Sequence, residues 1–515
     1  MILEASVKTR LAVTARRCPA VAVRLRQPDA FFSASAFRRY TLPALSSSPS
    51  ALPRTQRLAS WAATLRYDDL PPAVVEKTKD FFLDWYACAI GGRHHPAVRA
   101  IDAFAREQGP LLGGDVHNSS ELLHVPAGAN RTSAAFAALV NGAASHVIEQ
   151  DDLHNSSMVH PATVVFPAAL AVAQATSGAD GKDLITACVA GYDVACRIGA
   201  FLGPTHYAKF HTTATAGVFG AATAAAHLLK LDAVQMLSAL GTAGTQAAGL
   251  WQFLLDATHG KQVHTAKAGF DGVFAAYAAR AGLRGTADVL EGASGMAAAM
   301  VSGQSRPEAL THNLGRDNSY SILHSSFKWH ASCRHTHGSA DGLLQIMQDH
   351  ALTADDIARV TCYVYRAAVD VLGRTPAVPE TVHQSKFSMG FVLAIAATHG
   401  QATVLDFTEA ALQDPALRAF QQRVHMVLDE AINAAFPSAW QARVAVTTTD
   451  GRTFEQFVAT AKGDPGQHLT RDEIEAKARH IAEYAGIGDR AALEATFARV
   501  WRLEEAIDLS GFAIV

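Results

Sequence analysis

Helix-length segments rich in alanine and other apolar residues follow one another from about residue 58 to residue 320. In residues 73–90 the apolar side chains fall on one broad helical face, and Gly91-Gly92 supplies a helix stop. Ala and Gly recur at three- and four-residue spacing, which lets neighbouring helix backbones approach closely. The same pattern predicts further helices at 133–150, 162–176, 181–200, 213–229, 232–249 and 265–282.

A different pattern begins after about residue 323. Residues 358–365 and 442–448 alternate with period two, and Asp450-Gly451 followed by residues 453–458 predicts a hairpin. A helical stretch, 384–398, lies between them, and two amphipathic helices, 471–485 and 490–506, end the chain. The predicted fold class is mainly α. A large all-helical domain is built from residues 58–322 and 463–515, and residues 323–462 form a smaller α+β domain.

The first 57 residues differ in composition from the rest of the chain. They contain ten Lys or Arg but only two acidic residues, Glu4 and Asp29, and they end in the segment SSSPSALP. An Arg-rich, Ser-rich and acid-poor N-terminus is typical of an organellar transit peptide. A disordered extension and a misassigned start codon are the alternatives. We therefore predict a cytoplasmic protein, or a mitochondrial matrix protein if the segment is a transit peptide.

Several classes of function are disfavoured by the sequence. A net charge of −3 argues against nucleic acid as the main partner. The six cysteines include no C-x-x-C pair, which argues against a disulfide framework and an iron–sulfur cluster. No uniformly apolar stretch of 18 residues predicts a membrane span. The dinucleotide fingerprint, the P-loop and H-E-x-x-H are also missing from the sequence. We therefore predict an enzyme without a cofactor or metal.

The densest polar cluster runs from His146 to His160, where a predicted helix ends. Three acids lie within it, namely Glu149, Asp151 and Asp152. Acidic residues at a helix C-terminus oppose the helix dipole, so this placement has a local cost. A solvated loop is the simple alternative, but a polar patch between two apolar helices favours a site.

Basic residues recur in three later segments. A histidine opens the helix predicted at 213–229, and a histidine and a lysine at the start of the helix predicted near 265–282 share a face. These groups could hold two or three carboxylates and stabilise an enolate beside one of them, although a solvated basic face is the alternative for each segment. The residues are His211, Lys261, His264, Lys267, Lys328 and Arg334. A zinc hydrolase built on Cys333, His335 and His337 is a further hypothesis, although their alternate spacing beside Arg334 suits a cation poorly.

With these motifs together, the chain resembles the MmgE/PrpD family, which includes 2-methylcitrate dehydratase, cis-aconitate decarboxylase and iminodisuccinate epimerase. The resemblance runs from about residue 58 to residue 515. It implies a large helical domain, a smaller α+β lid with the site in the cleft between them, a homodimer and no cofactor. The motifs that carry it are FFLDWYACAIGG (81–92), NGAASHVIEQDDLHNSSMVHPATVVFPAALA (141–171), FHTTATAGVFGAA (210–222), KQVHTAKAGFDGVFAA (261–276), FKWHASCRHTHGSAD (327–341) and KFSMGF (386–391).

The resemblance also implies roles for individual residues. The family's acidic position falls on Glu149, with Asp152 as a neighbouring acid. Its other functional positions fall on His160, His211, Lys261, His264 and Lys328. Two departures affect the expected substrate pocket, since Leu153 stands where relatives have threonine and Phe391 where tyrosine is common. The lid-entry motif also differs, with K-W-H-A-S-C-R in place of K-x-Y-P-C-C-R.

The residues and the resemblance predict proton chemistry α to a carboxylate of a small di- or tricarboxylate. His160 or His211 would act as base or acid, and Lys261 and Lys328 would hold carboxylates. Dehydration of 2-methylcitrate is the first prediction. Decarboxylation of cis-aconitate and epimerisation of iminodisuccinate are the alternatives, and a non-catalytic carboxylate-binding protein is the competing class.

Overall fold

A computed structural model describes residues 52–109, 120–123 and 131–512. The predicted N-terminal extension, residues 1–57, lies outside these residues up to residue 51. The first helix begins at Arg54, four residues before the predicted start at Leu58.

The described residues form helices along most of their length, which confirms the mainly α fold class. The helices are α1 Arg54–Thr64, α2 Pro72–Gly91, α3 Pro96–Gln108, α4 Ala134–His146, α5 Ala162–Ala175, α6 Gly181–Tyr207, α7 Thr212–Leu228, α8 Ala233–Gly244, α9 Gln252–Leu255, α10 Gly260–Arg280, α11 Met296–Met300, α12 His337–Asp349, α13 Arg366–Leu372, α14 Val382–Ser385, α15 Met389–His399, α16 Glu409–Gln413, α17 Pro415–Gln421, α18 Glu430–Ala435, α19 Arg471–Tyr484 and α20 Arg490–Val500. The strands are β1 Ser120–Glu121, β2 Arg131–Thr132, β3 Leu153–His154, β4 Ser325–Ser326, β5 Ile357–Val364, β6 Val424–Leu428, β7 Ala442–Thr448 and β8 Thr453–Val458.

Small residues bring the central helices close together, as their spacing predicts. Helix α7 packs against both α6 and α10. A Cβ added at Gly191 would lie 2.8 Å from the Gly220 carbonyl oxygen, and one at Gly272 would lie 2.5 Å from the Cβ of Ala221. Larger side chains at these crossings would therefore force the backbones apart.

The helix ends that differ from the prediction include two beside the site described below. Helix α4 ends at His146, four residues early, and the chain then enters a tight turn. Helix α6 continues to Tyr207, but its backbone is broken at Gly203, where φ is +72° and Pro204 follows. Such a break redirects the last turn of a helix.

The sheet of the α+β region has the strand order β6-β5-β7-β8. The predicted β7–β8 hairpin is confirmed, with Gly451 at φ +87° in its turn. Strand β6 runs parallel to β5 and was not predicted. Helix α12 packs on β7 and β8. The division of the chain into two domains at residues 322 and 463 stays a prediction.

Two long-range contacts position the loop that follows α4. Strand β3 pairs with β4 through Leu153 opposite Ser326 and His154 opposite Ser325. The C-terminal helix α19 packs against α2, so the end of the chain returns to the helical core. Among residues 52–109, 120–123 and 131–512, α6 is long and apolar enough to cross a membrane, but 94% of its apolar stretch is buried as in a core helix.

Candidate active site

The acidic turn, residues 147–152, joins α4 to β3. Glu149 adopts a left-handed backbone conformation with φ +61°, which costs about 1–3 kcal/mol for a residue other than glycine. Two buried lysines bind the backbone on either side of it. Lys386 Nζ donates to the Ile148 carbonyl at 2.7 Å, and Lys477 Nζ donates to the Gln150 carbonyl at 2.6 Å. These charge-assisted hydrogen bonds stabilise the strained turn.

The Glu149 side chain is buried and forms ion pairs with two lysines. Its Oε1 accepts from Lys261 Nζ, and its Oε2 lies 3.0 Å from Lys328 Nζ. Burial alone would raise the pKa of Glu149, but the two ammonium groups outweigh it and hold that pKa well below its usual range. For Lys328, burial opposes charge, yet Glu149 and Asp151 keep its pKa raised. The two buried lysine ammonium groups therefore share one carboxylate.

Asp151 contacts groups of the site, although the sequence had not singled it out as catalytic. Its Oδ2 lies 2.8 Å from the Nδ1 atoms of both His146 and His160, and its Oδ1 lies 3.9 Å from Lys328 Nζ. Burial raises its pKa, but His146 and Lys328 outweigh burial, so the pKa of Asp151 lies well below the usual value. Asp151 is therefore an ionised acceptor beneath two imidazoles.

The predicted catalytic residue Asp152 points the other way. Its Oδ1 accepts the backbone N–H of Ala162 at 3.0 Å, and its Oδ2 accepts the Tyr192 hydroxyl at 2.9 Å. Burial, and secondly the charge of Asp151, raise its pKa well above the usual value. It does not line the cavity described below, and these contacts connect the acidic turn to the start of α5 and to α6.

The geometry of His160 determines which of its ring nitrogens carries hydrogen. Its Nδ1 lies 2.6 Å from the Asp152 carbonyl oxygen and 2.8 Å from the Asp151 carboxylate. Both are acceptors, so Nδ1 must be the donor and Nε2 keeps its lone pair. Burial lowers the pKa of His160, although Asp151 partly opposes this effect. His160 is therefore a neutral imidazole with a basic Nε2.

His211 and His264 form a second imidazole pair. Their Nδ1 atoms lie 3.1 Å apart, so one ring donates to the other. Burial lowers the pKa of His264 to about 4 and that of His211 well below its usual value. The His211 ring also stacks on His146, with 5.7 Å between ring centroids. These rings are therefore neutral near pH 7.

A small cavity with a free volume of about 30 Å³ lies against these groups. Its lining combines charged and polar side chains with apolar ones, and it receives residues from the acidic turn, from α10 and from the chain before α12. The lining residues are Glu149, Leu153, Met158, His160, Tyr207, His211, Trp251, Lys261, Lys328, Cys333, Arg334, Val371, Phe387 and Trp440.

Arg334, predicted to bind substrate, lines this cavity. Its guanidinium forms an ion pair with Asp464, whose Oδ1 also accepts from Ser326 Oγ at 2.6 Å and from Asn155 Nδ2 at 2.9 Å. The Nε of Arg334 is buried without a hydrogen-bond partner in the described part of the chain. An oxygen of a bound carboxylate would supply the missing acceptor.

Three other predicted binding residues do not line the cavity. Lys267 lies half-exposed on α10, where it pairs with Asp271. Phe391 is buried in α15 with Phe407 6.5 Å away, whereas Phe387 of the same motif lines the cavity. His264 is held behind His211 and does not line the cavity.

Sequence reasoning missed the aromatic part of the lining, which includes Tyr207, Trp251 and Trp440. These residues come from a helix end and from loops. Residues Gly203-Pro204 were the available signal for Tyr207, because that pair predicts a helix break. Nothing local in the sequence marks the other two.

One group in the described residues is close enough to hold a metal ion, namely His146, Asp151 and His160. The Nδ1 of His160 already donates to oxygen acceptors, and the Lys328 ammonium lies 3.9 Å from Asp151. A neighbouring positive charge opposes a second cation, so this donor set fits hydrogen-bonded imidazoles better than a metal centre.

The set expected for a zinc hydrolase is not brought together in the described chain. His335 Nδ1 forms a hydrogen bond with the Tyr365 hydroxyl at 2.7 Å, and the His337 ring meets His330 edge to face. Cys333 lines the cavity without them.

The chain is similar to known proteins over most of its length. A family model described as the MmgE/PrpD N-terminal domain matches residues 56–308, and the MmgE/PrpD C-terminal domain matches residues 330–503. The cis-aconitate decarboxylase-like protein oryM of Aspergillus oryzae is 27% identical over 481 residues, covering 88% of this chain and 95% of that protein. Cis-aconitate decarboxylase of Homo sapiens is 25% identical, with 82% and 87% covered. The Aspergillus terreus enzyme of that name is 31% identical, with 45% and 44% covered.

Proposed function

Since this chain belongs to the MmgE/PrpD family, we propose that it is a lyase that removes CO₂ from a small unsaturated polycarboxylate. Cis-aconitate is the first substrate to test. The names of the similar proteins support this alternative over dehydration of 2-methylcitrate, which was predicted first from the sequence.

The observation that carries the proposal is the pair of buried ammonium groups, Lys261 and Lys328, at a cavity that Arg334 also lines. These are cations at positions fixed by burial and ion pairs, and carboxylates are their natural ligands. Glu149 holds both lysines in place before a substrate arrives. The carboxylates of a bound substrate would then accept some of the hydrogen bonds that the two lysines donate to Glu149.

Decarboxylation breaks a carbon–carbon bond and leaves its electron pair on the substrate. If that carbon is conjugated through a double bond to a second carboxylate, the charge spreads onto oxygens that the lysines stabilise. Leu153 and Met158 contribute apolar surface to the same cavity. An ionised carboxylate is disfavoured against such a surface whereas neutral CO₂ is not, and this difference promotes departure. A proton added to carbon completes the reaction.

The neutral imidazoles suit this chemistry. The basic Nε2 of His160 can take a proton from a substrate carboxyl group, which keeps the leaving group ionised. Because the cavity has a free volume of about 30 Å³, room for about two water molecules, a substrate binds only when lining side chains move.

The test is turnover of cis-aconitate and 2-methylcitrate by purified protein treated with a chelator. Release of CO₂ from cis-aconitate, with a five-carbon dicarboxylate as product by NMR, is the expected result. Dehydration of 2-methylcitrate without CO₂ would replace the proposal with the hydro-lyase alternative. Activity that disappears with the chelator and returns with a metal would contradict the metal-free chemistry.

A matched pair of variants on α10 tests the role of the lysines. Lys261→Met removes a cation at the cavity, and Lys267→Met removes a half-exposed cation on the same helix. We expect the first to lower kcat/KM by about 10²–10³-fold, as for loss of one charge-stabilising donor, and the second to have little effect. Equal activities for the two variants would remove Lys261 from the site.

The predicted homodimer and the cytoplasmic or mitochondrial location stay predictions. Light scattering on the full chain tests the first, and localisation of a C-terminally tagged chain tests the second.

A further inference from the structure

Decarboxylation consumes one proton for every CO₂ released, so the cavity needs a proton donor. Among the described residues that line it, His160 and His211 are neutral bases near pH 7 because burial lowers the pKa of each. Glu149 is ionised, and Lys261 and Lys328 are committed to it. Two uncharged acids of the lining remain, the Tyr207 hydroxyl and the Cys333 thiol. Of the two, the Tyr207 hydroxyl is the one that a side-chain imidazole contacts.

The backbone of Tyr207 is held at the cavity by the break in α6. Gly203 and Pro204 redirect the last helical turn, and the Tyr207 carbonyl accepts the indole N–H of Trp251 at 2.6 Å. The two rings meet edge to face, with 5.2 Å between centroids. These contacts hold both the backbone and the ring of Tyr207 in place.

Two residues that do not line the cavity, His335 and Tyr365, continue a chain of polar contacts from the Tyr207 hydroxyl. Tyr207 Oη is 3.4 Å from His335 Nε2, and His335 Nδ1 is 2.7 Å from Tyr365 Oη. The imidazole lies flat on Trp440, with 4.7 Å between centroids and 5° between planes. Burial lowers the pKa of His335 to about 3, so the ring is neutral and carries one hydrogen.

The contact with Tyr365 links the positions of these hydrogens. If the Tyr365 hydroxyl donates to Nδ1, the His335 hydrogen must sit on Nε2 and point at Tyr207 Oη. The hydroxyl hydrogen of Tyr207 is then free to point into the cavity. His335 would also donate to the phenolate that remains after Tyr207 has lost its proton.

We propose that Tyr207 is the catalytic acid that protonates the substrate carbon after CO₂ leaves, with His335 and Tyr365 as positioning residues. This proposal rests on the proposed function. The Tyr207 O–H bond breaks, the electron pair left by CO₂ forms the new C–H bond, and the phenolate accepts the His335 N–H hydrogen bond. Water restores the proton when the product leaves.

The experiment compares three tyrosine variants of the full chain with the wild type. Tyr207→Phe should lower kcat for CO₂ release by about 10²–10⁴-fold with KM nearly unchanged, because a proton donor is lost while the cationic groups remain. Tyr365→Phe should give a smaller loss of kcat, since His335 can then take either tautomer. Tyr277→Phe, on the opposite part of α10 from the site residues and away from the cavity lining, is the matched control and should retain wild-type activity.

Proton exchange in deuterated water separates this proposal from the proposed function. We expect wild type to place deuterium on the product carbon and Tyr207→Phe to do so at the same reduced rate as its CO₂ release. A Tyr207→Phe enzyme with wild-type kcat would overturn the proposal. So would a loss accompanied by a lower unfolding midpoint and a raised KM, because that pattern indicates a structural role.

A wild type that exchanges hydrogens of 2-methylcitrate but releases no CO₂ would refute decarboxylation alone. Tyr207 is then judged by whether its Phe variant loses that exchange. A wild type that does neither would overturn both proposals.

Discussion

Replacing Glu149 with Gln removes the only carboxylate that contacts both Lys261 and Lys328 in the described chain. The three side chains are 1%, 4% and 1% exposed, so water cannot replace the lost charge. The Coulomb attraction of an ion pair at 3.0 Å is about 5.5 kcal/mol at an effective dielectric constant of about 20, and desolvation offsets part of it. Removing one partner of a buried pair costs about 3–5 kcal/mol. We expect a loss in this range for Glu149→Gln.

Urea unfolding followed by circular dichroism measures the loss. The matched control is Asp271→Asn, which breaks the Lys267 pair on the same helix, where the lysine is 46% exposed. A pair of this kind contributes about 0–1 kcal/mol. The double variant Glu149→Gln/Lys261→Met removes the carboxylate together with one of the ammonium groups that it would leave unpaired. We therefore expect its loss of unfolding free energy to be smaller than the sum of the two single losses by about 0.5–3 kcal/mol.

The stability loss of Glu149→Gln should also depend on pH in a defined direction. Glu149 keeps the pKa of Lys328 raised, so in Glu149→Gln this lysine loses its proton more readily. The deficit in unfolding free energy should therefore shrink as the pH rises from 7 toward 10. A Glu149→Gln protein no less stable than Asp271→Asn, or strictly additive effects in the double variant, would refute the shared-charge account.

Three further predictions concern the same site. His160→Ala should lower kcat by about 10²–10⁴-fold, and a steady-state rate equal to wild type would remove this imidazole from the mechanism. Lys477→Met should lower kcat by about 10²-fold by shifting the acidic turn, because its ammonium donates to the Gln150 carbonyl; unchanged kcat would show that the turn keeps its shape alone. The urea midpoint should fall as the pH drops below 6.5. Burial lowers the pKa of His146 to about 3 and also lowers the pKa of His160. Below pH 6.5 the unfolded chain therefore takes up protons that the folded chain does not. A midpoint that stays constant between about pH 7 and pH 4.5 would contradict neutral imidazoles.

The parts of the fold that the sequence predicted are those with strong local signals. Helices α2 and α7 follow from apolar periodicity and clear ends, and the β7–β8 hairpin follows from Asp450-Gly451. Strand β6 was missed because its residues are only partly buried and its pairing with β5 is parallel and distant in sequence. The family resemblance, which summed several motifs, is confirmed.

The sequence indicated which residues to look for at the candidate site but not how their side chains are oriented. Glu149, which the motifs singled out separately from Lys261 and Lys328, forms ion pairs with both lysines. The orientations of Asp151 and Asp152 could not be predicted, because they depend on the left-handed backbone of Glu149 one or two residues earlier. That conformation is in turn held by lysines from remote parts of the chain, so no local pattern encodes it.

The remote origin of these lysines bears on how the protein is made. The acidic turn follows α4, but Lys386 and Lys477 reach it from 238 and 327 residues later in sequence. A growing chain on the ribosome therefore lacks the lysines that support the acidic turn until α19 has emerged and packed. Contacts of such wide sequence separation form late and slowly. Premature termination before residue 477 should consequently yield inert chains, and cells gain activity only from completed copies.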